Sequence, residues 1–273
     1  MEWDRMISVI PEVIQDLKSE YTLINPMIRD DIFGILEKHC IVVYYPLFNE
    51  KNCGFHTKRF IKDKREDFVY INTAKPIAEQ VFTAAHELGH VWGVADKILS
   101  KIDTNIRLEC DDEEKLINRF AAELLMPDKE FRNLFFLNMK ELSIVDNKIK
   151  IEDFIRVIVM QMNDFMVPYE SVRRRMVETS LITEEVGKLL DKNVEFIQAL
   201  VSAFSKDLNT ILDNVTEKKT IPGLRALVDQ IEQGKLLDEY TLCKVKKDFD
   251  IDSILGTDTI IDIKIGDSAD GEN

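Results

Sequence analysis

The segment AAHELGHVWG, residues 84–93, constrains the fold more than any other part of the sequence. It contains two of the four histidines of the chain, His86 and His90, in the spacing H-E-x-x-H. On an α-helix, residues i and i+4 lie on one face about one turn apart, so both imidazoles can reach one metal ion. Glu87 follows the first histidine and can accept a proton from water at an open coordination position. The spacing therefore predicts a zinc site on a helix, with Glu87 as the general base.

The sequence around this motif favours a helix that packs against a sheet. DFVYIN at residues 67–72 is rich in β-branched and aromatic side chains, which predicts a strand before the helix. Phe82, Ala85 and Leu88 point away from the two histidines, so that side of the helix can be buried. Gly93 is suited to end the helix because glycine adopts positive φ at little cost. A strand followed by a metal-binding helix is the arrangement that zincin peptidases require.

A third protein ligand has to be a carboxylate, because no histidine follows His90 and a catalytic zinc with two histidines usually takes a carboxylate or another histidine. Glu114 is favoured, since it heads a helical stripe that continues through Asn118 into small and apolar residues. Glu113 points about 100° away and is interpreted as a solvated charge at the helix N-terminus. Asn118 is either a polar packing residue or a hydrogen-bond partner of a ligand. The carboxylates considered are Asp96, Asp103, Glu109, Asp111, Asp112, Glu113, Glu114 and Glu123.

The composition excludes several classes of protein. The formal net charge of −14 disfavours direct nucleic-acid binding, because phosphate contacts need a basic surface. The four cysteines form no C-x-x-C pair, which indicates reduced thiols in a cytoplasmic protein rather than a cysteine-rich zinc site. The N-terminus lacks a basic segment followed by an apolar core, and no apolar run approaches the roughly 20 residues of a membrane span.

The pattern of apolar residues predicts an α+β fold, mostly helical with a short sheet, followed by a helical C-terminal region. Helices are expected within residues 1–39 with a break near Asn25 and Pro26, and over 78–93, 113–126 and most of 128–256. Strands are expected over 40–45 and 67–72, with a strand and turn between them. Residues 95–112 are predicted to be irregular.

The predicted organisation has two parts. Residues 1–165 form a zincin-like metallopeptidase domain, with the chemistry in residues 40–127. Residues 166–273 form a helical C-terminal region, which includes one amphipathic stretch from Glu184 to about Val215. Within it, TIPG at 220–223 is the best linker candidate, TIIDIKI at 259–265 is a possible short strand, and residues 266–273 are a loose acidic tail.

Three blocks resemble the ImmA/IrrE family of zinc metallopeptidases. FTAAHELGH at residues 82–90 is similar to the family's helix motif, and residues 54–72 are similar to the segment that precedes it. EKLINRFAAELLMP at residues 114–127 resembles the family pattern E-x-x-A-N-x-F-A-A-x-L-L-M-P, with Ile117 where alanine is usual. A weaker resemblance at residues 166–182 extends the match to about residues 35–185.

The resemblance implies a gluzincin-like peptidase that uses Zn²⁺. His86, His90 and Glu114 would be the zinc ligands, and Glu87 would be the general base. Members of the family cleave helix-turn-helix transcriptional repressors encoded on prophages, other mobile elements or stress-response loci. This chain begins almost directly with the catalytic region, so its repressor is expected to be a separate polypeptide. The alternative is a regulatory protein-binding module that retains a zinc site with little or no peptidase activity.

The residue that would stabilise the oxyanion is not identified by the sequence. His56 and Tyr70 lie in the block before the motif helix, but each is better explained by a structural role. Glu123 is interpreted as a solvated charge. Arg173, Arg174 and Arg175 are interpreted as a solvated face with salt bridges, because three consecutive residues of a helix point to different sides.

Overall fold

The computed structural model describes residues 2–48, 51–61, 64–102, 108–144, 149–192, 194–208 and 210–251. The elements in chain order are α1 Glu2–Glu20, α2 Asp31–His39, β1 Ile41–Tyr45, β2 Gly54–Ile61, β3 Lys64–Asn72, α3 Ile77–Val91, α4 Val94–Lys101, α5 Cys110–Leu125, α6 Asp128–Glu141, α7 Ile151–Phe165, α8 Tyr169–Glu178, α9 Glu184–Lys192, α10 Val194–Asp207, α11 Leu224–Gly234 and α12 Glu239–Asp248. The predicted α+β class, with a mostly helical chain and a short sheet, is confirmed.

The sheet has the strand order β1-β3-β2. β1 runs parallel to β3, whereas β2 pairs with β3 in antiparallel register, with His56 opposite Val69. Alternate residues of β3 point to one face, and on that face Val69 and Ile71 are buried. The chain passes from the end of β3 directly into α3, so the sheet supports the helix that carries H-E-x-x-H.

α3 and α5 approach each other closely at a glycine. A Cβ atom added to Gly89 would lie only 2.9 Å from Ile117 Cγ2 and 3.1 Å from Phe120 Cδ1. Both of these side chains are buried, so the two helices meet in the core rather than at its edge. As predicted, α3 ends before Gly93, which has a φ of +62°. The close approach brings the start of α5 beside the histidines of α3.

The segment after α10 is an extended strap rather than a continuation of the helix. This C-terminal strap, residues 210–221, pairs with the sheet through Thr220, whose N–H and C=O bond the C=O and N–H of Tyr44 at 2.9 and 3.0 Å. The Thr73 hydroxyl donates to the Lys218 carbonyl at 2.8 Å. The amphipathic helical stretch predicted up to about residue 215 was therefore wrong in its last part.

The strap also supplies hydrogen-bond acceptors to the start of α3. Pro76 precedes this helix and forms no side-chain cap, which leaves the first backbone amides without acceptors in their own helix. The Ile77 amide donates to the Asn214 carbonyl at 2.8 Å, and the Ala78 amide donates to the Leu212 carbonyl at 3.2 Å. Residues far along the chain thus complete the N-terminus of the helix that carries H-E-x-x-H.

The charges on α5 and α8 form a cluster that is largely buried. Arg175 is 1% exposed, lies 2.5 Å from Glu123 and donates to the Met126 carbonyl at 2.9 Å. The interpretation of Glu123 and the arginines as solvated was therefore wrong for Glu123, for Arg175 and for the mostly covered Arg173; the Arg174 side chain is 68% exposed. The cluster joins the C-terminal end of α5 to α8.

The remaining predictions vary in outcome. The interruption near Asn25 and Pro26 is confirmed, because α1 ends at Glu20 and α2 begins at Asp31. The prediction that residues 95–112 are irregular was wrong at both ends, since α4 and the first turn of α5 lie within them. Residues 103–107, the predicted strand at 259–265 and the acidic tail lie outside the described residues.

The chain separates into two compact units, Met1–Ile221 and Pro222–Asn273. The boundary lies within residues 220–223, the predicted linker. The predicted domain division at residue 165 does not coincide with this boundary and stays a prediction. In the second unit, α11 and α12 are joined by an ion pair between Glu232 and Lys246 at 2.8 Å.

Within the described part of the chain, no helix combines the length and the apolar character needed to cross a membrane.

Candidate metal centre

Two helices place the predicted site residues together. α3 carries His86, Glu87 and His90, and α5 carries Glu114 and Asn118. The ligand atoms of the three α3 residues all lie within 4.8 Å of one another. Because Gly89 lets the helices approach closely, Glu114 in the second turn of α5 can reach the same point in space. The site residues predicted from the sequence spacing therefore lie together in one compact cluster.

The two imidazoles and the Glu114 carboxylate converge through their donor atoms. His86 Nε2 lies 3.0 Å from Glu114 Oε2, and His90 Nε2 lies 3.3 Å from Glu114 Oε1. The two Nε2 atoms lie 3.3 Å apart. A set of two imidazole nitrogens and one carboxylate is typical of catalytic zinc sites, in which a fourth position stays open. His86, His90 and Glu114 could therefore hold a metal ion, and Glu87 belongs to the same group of possible ligands on α3.

The second nitrogen of each imidazole also has a partner on α5. His86 Nδ1 lies 3.0 Å from Asn118 Oδ1, the contact that the sequence left as one of two options. His90 Nδ1 lies 3.7 Å from Glu113 Oε1. The sequence prediction missed this second contact, because it treated Glu113 as a solvated charge. The sequence signal that could have predicted this contact is that Glu113 is the immediate neighbour of Glu114 in the chain.

The electrostatics of the site favour neutral groups in the protein alone. Burial lowers the pKa of the His86 imidazole, and the charge of His90 acts in the same direction, against Glu114. Burial also raises the pKa of the Glu87 carboxyl to about 8, with a further contribution from Glu114. Neutral imidazole is the form that binds metal ions. Glu87 is 5% exposed, so its carboxyl sits in the wall of the site rather than in bulk solvent.

The cluster opens into a cavity of about 490 Å³. Its walls include Phe82 and Thr83 of α3, the segment before β2, and His56 on β2. The expectation that Phe82 points away from the histidines was wrong, because Phe82 precedes His86 by one helical turn and shares its face. His56 Nε2 lies 2.6 Å from Asp67 Oδ1, and the His56 ring lies parallel to the His90 ring at a centroid distance of 6.1 Å. Burial lowers the pKa of His56, although Asp67 opposes the shift.

The two residues considered for the oxyanion therefore differ in position. His56 lines the cavity beside His86 and His90. Tyr70 is buried, its hydroxyl donates to the Tyr45 carbonyl at 2.9 Å, and its ring packs against Phe55. Tyr70 thus has the structural role that the sequence favoured, whereas His56 has access to a molecule bound in the cavity.

Other carboxylates that were considered as the third ligand have different partners. Asp112 pairs with Lys115 at 2.8 Å, and Glu123 pairs with Arg175. Asp96 lines a neighbouring cavity of about 300 Å³, together with Glu113. Asp103 lies outside the described residues. The geometry favours Glu114, as the sequence did.

Comparisons with known proteins identify a family for this chain. No curated protein shows a significant match to the sequence. A solved structure described as a Mycobacterium tuberculosis transcriptional regulator is 17% identical, with a TM-score of 0.42. The alignment covers 64% of this chain and 50% of that one, so this chain spans about half of its length, and a likeness at that score carries no inference about function. The profile of the IrrE N-terminal-like domain, Peptidase_M78, matches residues 36–177. This match covers more than half of the chain and includes His86, His90 and Glu114, and the protein therefore belongs to the Peptidase_M78 family.

Proposed function

We propose that the protein is a zinc-dependent endopeptidase that cleaves a separate helix-turn-helix transcriptional repressor. The observation that carries this proposal is the convergence of His86, His90 and Glu114 beside the buried carboxyl of Glu87. The family supports a metallopeptidase-like domain in general. The proposal adds three statements to this: that the metal is zinc, that the protein is an active peptidase, and that its substrate is a repressor.

Zinc fits the donor set better than the hard cations do. Mg²⁺ and Ca²⁺ prefer shells of oxygen ligands, whereas two imidazoles and one carboxylate are an ordinary zinc set. A bound zinc ion polarises a peptide carbonyl and lowers the pKa of water. His86 and His90 would hold the ion through Nε2, and Glu114 would hold it through its carboxylate. Asn118 accepts a hydrogen bond from His86 Nδ1, which fixes the orientation of that ring.

Glu87 is the proposed proton carrier. Its carboxyl lies beside the cluster without being needed as a third ligand, since Glu114 supplies that group. In this position Glu87 takes a proton from the attacking water and delivers it to the nitrogen of the leaving amine. Burial raises the pKa of Glu87 and so favours the protonated form, which supports proton delivery to the leaving amine. A bound cation beside this carboxyl would favour the charged form, which accepts the proton from water.

The cavity is large enough for a short part of an extended peptide but not for a folded domain. We therefore expect cleavage in a loop or linker of the repressor. His56 lines this cavity and is held by Asp67, so it is the proposed contact for the main chain of the peptide. A repressor as substrate is supported by the resemblance in residues 82–90 and 114–127 and by the family match.

Two measurements on the purified protein test the proposal. Elemental analysis should find about one zinc per chain in the wild type and none in His86→Ala. Glu87→Gln should retain zinc but should not cleave a repressor that is encoded nearby, as followed by mass spectrometry of the products. Absence of zinc in the wild type, even after incubation with zinc, would refute the metal site. Regulation that survives Glu87→Gln would instead support the protein-binding module.

A further inference from the structure

The outer nitrogens of the two metal-binding imidazoles both face α5. His86 Nδ1 contacts Asn118 at 3.0 Å, and His90 Nδ1 lies 3.7 Å from the carboxylate of Glu113. Glu113 is next to the ligand Glu114 in the chain, so one helix supplies a ligand and a group at the rear of each histidine. The contact with His90 is at ion-pair distance, longer than the hydrogen bond that Asn118 forms.

We propose that Glu113 is the positioning residue for His90. The inference rests on the proposed metal site and adds a residue to it. A neutral histidine that binds a metal through Nε2 carries its proton on Nδ1, and this N–H needs an acceptor. A carboxylate is a strong acceptor for such a group, and it fixes both the tautomer and the plane of the ring. Glu113 places a carboxylate oxygen 3.7 Å from that nitrogen, so a slight approach of the two groups would complete this hydrogen bond.

The surroundings of Glu113 support a role other than that of a free surface charge. Its side chain is 45% exposed, and its covered side lines the cavity of about 300 Å³ that also borders His90. Lys58 lines the same cavity, but it lies 3.8 Å from Asp67 and is paired there. The carboxylate of Glu113 is therefore directed to the imidazole rather than neutralised by this lysine.

The neighbouring Asp112 provides a matched control. It lies in the same first turn of α5 and carries the same charge, but its carboxylate pairs with Lys115 at 2.8 Å. Asp112→Ala and Glu113→Ala thus remove equal charge from almost the same place. Glu113→Gln removes the charge but keeps an oxygen that can accept a hydrogen bond. The three variants separate loss of the acceptor from loss of charge, and both positions are partly exposed, so the fold should persist.

The experiment measures zinc affinity by competition with a chromophoric chelator, and the visible spectrum of the Co²⁺-loaded protein. Glu113→Ala should lower zinc affinity about tenfold, with Glu113→Gln closer to the wild type. Asp112→Ala should stay within about twofold, because an exposed, screened charge contributes little. The Co²⁺ absorption bands should shift in Glu113→Ala but not in Asp112→Ala, since only the former changes the geometry of His90.

Two results would overturn the inference while the metal site stands. Equal affinities for Glu113→Ala and Asp112→Ala would show that Glu113 has no special contact. Equal losses for Glu113→Ala and Glu113→Gln, with unchanged Co²⁺ spectra, would show that charge alone acts. A wild type that binds no zinc would refute the proposed function, and the positioning role with it, so the two failures are distinguishable.

Discussion

Replacement of Glu87 by glutamine should stabilise the metal-free protein at pH 8 and leave its stability near pH 4.5 almost unchanged. Burial raises the pKa of this carboxyl from 4.5 to about 8. As the pH rises through 4.5, the glutamate of the unfolded chain ionises, whereas the folded protein keeps its proton until about pH 8. The unfolded state therefore gains a favourable ionisation that the folded state lacks, and stability falls as pH rises.

The magnitude follows from the same shift in pKa. The contribution of Glu87 to the free energy of unfolding of the wild type should fall by about 1.4 kcal/mol for each pH unit between these limits. The full difference from Glu87→Gln should approach about 4 kcal/mol at pH 8, because glutamine has the same shape and carries no charge. Bound zinc should reduce the difference in free energy of unfolding between Glu87→Gln and the wild type, since a cation beside Glu87 favours its charged form.

Urea unfolding in the presence of EDTA, at pH 5, 6.5 and 8, measures this dependence. Glu195→Gln, at an exposed position of α10, is the matched control and should follow the wild type at each pH. A difference between Glu87→Gln and wild type that does not grow with pH would refute the reasoning. So would a variant that is less stable than the wild type at pH 8.

Three further predictions concern packing, buried charge and the third ligand. Gly89→Ala places a methyl group 2.9 Å from a side-chain atom of α5 and should weaken zinc binding about tenfold. Gly34→Ala has nothing within 4 Å of its new methyl group and should raise the free energy of unfolding by about 1 kcal/mol. Arg175→Met should lower the free energy of unfolding in urea by about 3–5 kcal/mol, and Arg174→Met by less than about 0.5. Glu114→Gln should abolish tight zinc binding in chelator competition; retained affinity would assign the third ligand elsewhere.

The parts of the site that depend on local spacing could be predicted from the sequence. H-E-x-x-H places two histidines on one helical face whatever surrounds the helix, and the register of α5 places Glu114 and Asn118 on one stripe. The preference for Glu114 over Glu113 as the group nearest both Nε2 atoms also depends only on that register. What the register could not reveal is that Glu113 contacts the other nitrogen of His90, because that distance depends on how the two helices pack.

The parts that were missed depend on contacts between distant segments. Arg175 looks solvated in sequence because charged residues surround it, yet Glu123 on another helix makes its burial possible. The strap after α10 is amphipathic, and its extended form is set by pairing with Tyr44 and by the uncapped start of α3. Neither partner is near in the chain, so propensity alone favoured a longer helix.

The strap also affects the order in which parts of the protein can fold during synthesis. The Thr73 hydroxyl and the Lys218 carbonyl are 145 residues apart, and the strap lies beyond the family match that ends at residue 177. A contact of such long range forms late in folding, because the chain entropy lost in closing so large a loop has to be offset first. During synthesis, the N-terminus of α3 has to wait for the strap to emerge from the ribosome. We therefore expect a stalled nascent chain that ends at residue 207 to exchange the Ile77 and Ala78 amides quickly, and one that exposes residue 221 to protect them. The N-terminus of α3 would then be completed at the end of translation of the first unit, not when the segment matched by the family is finished.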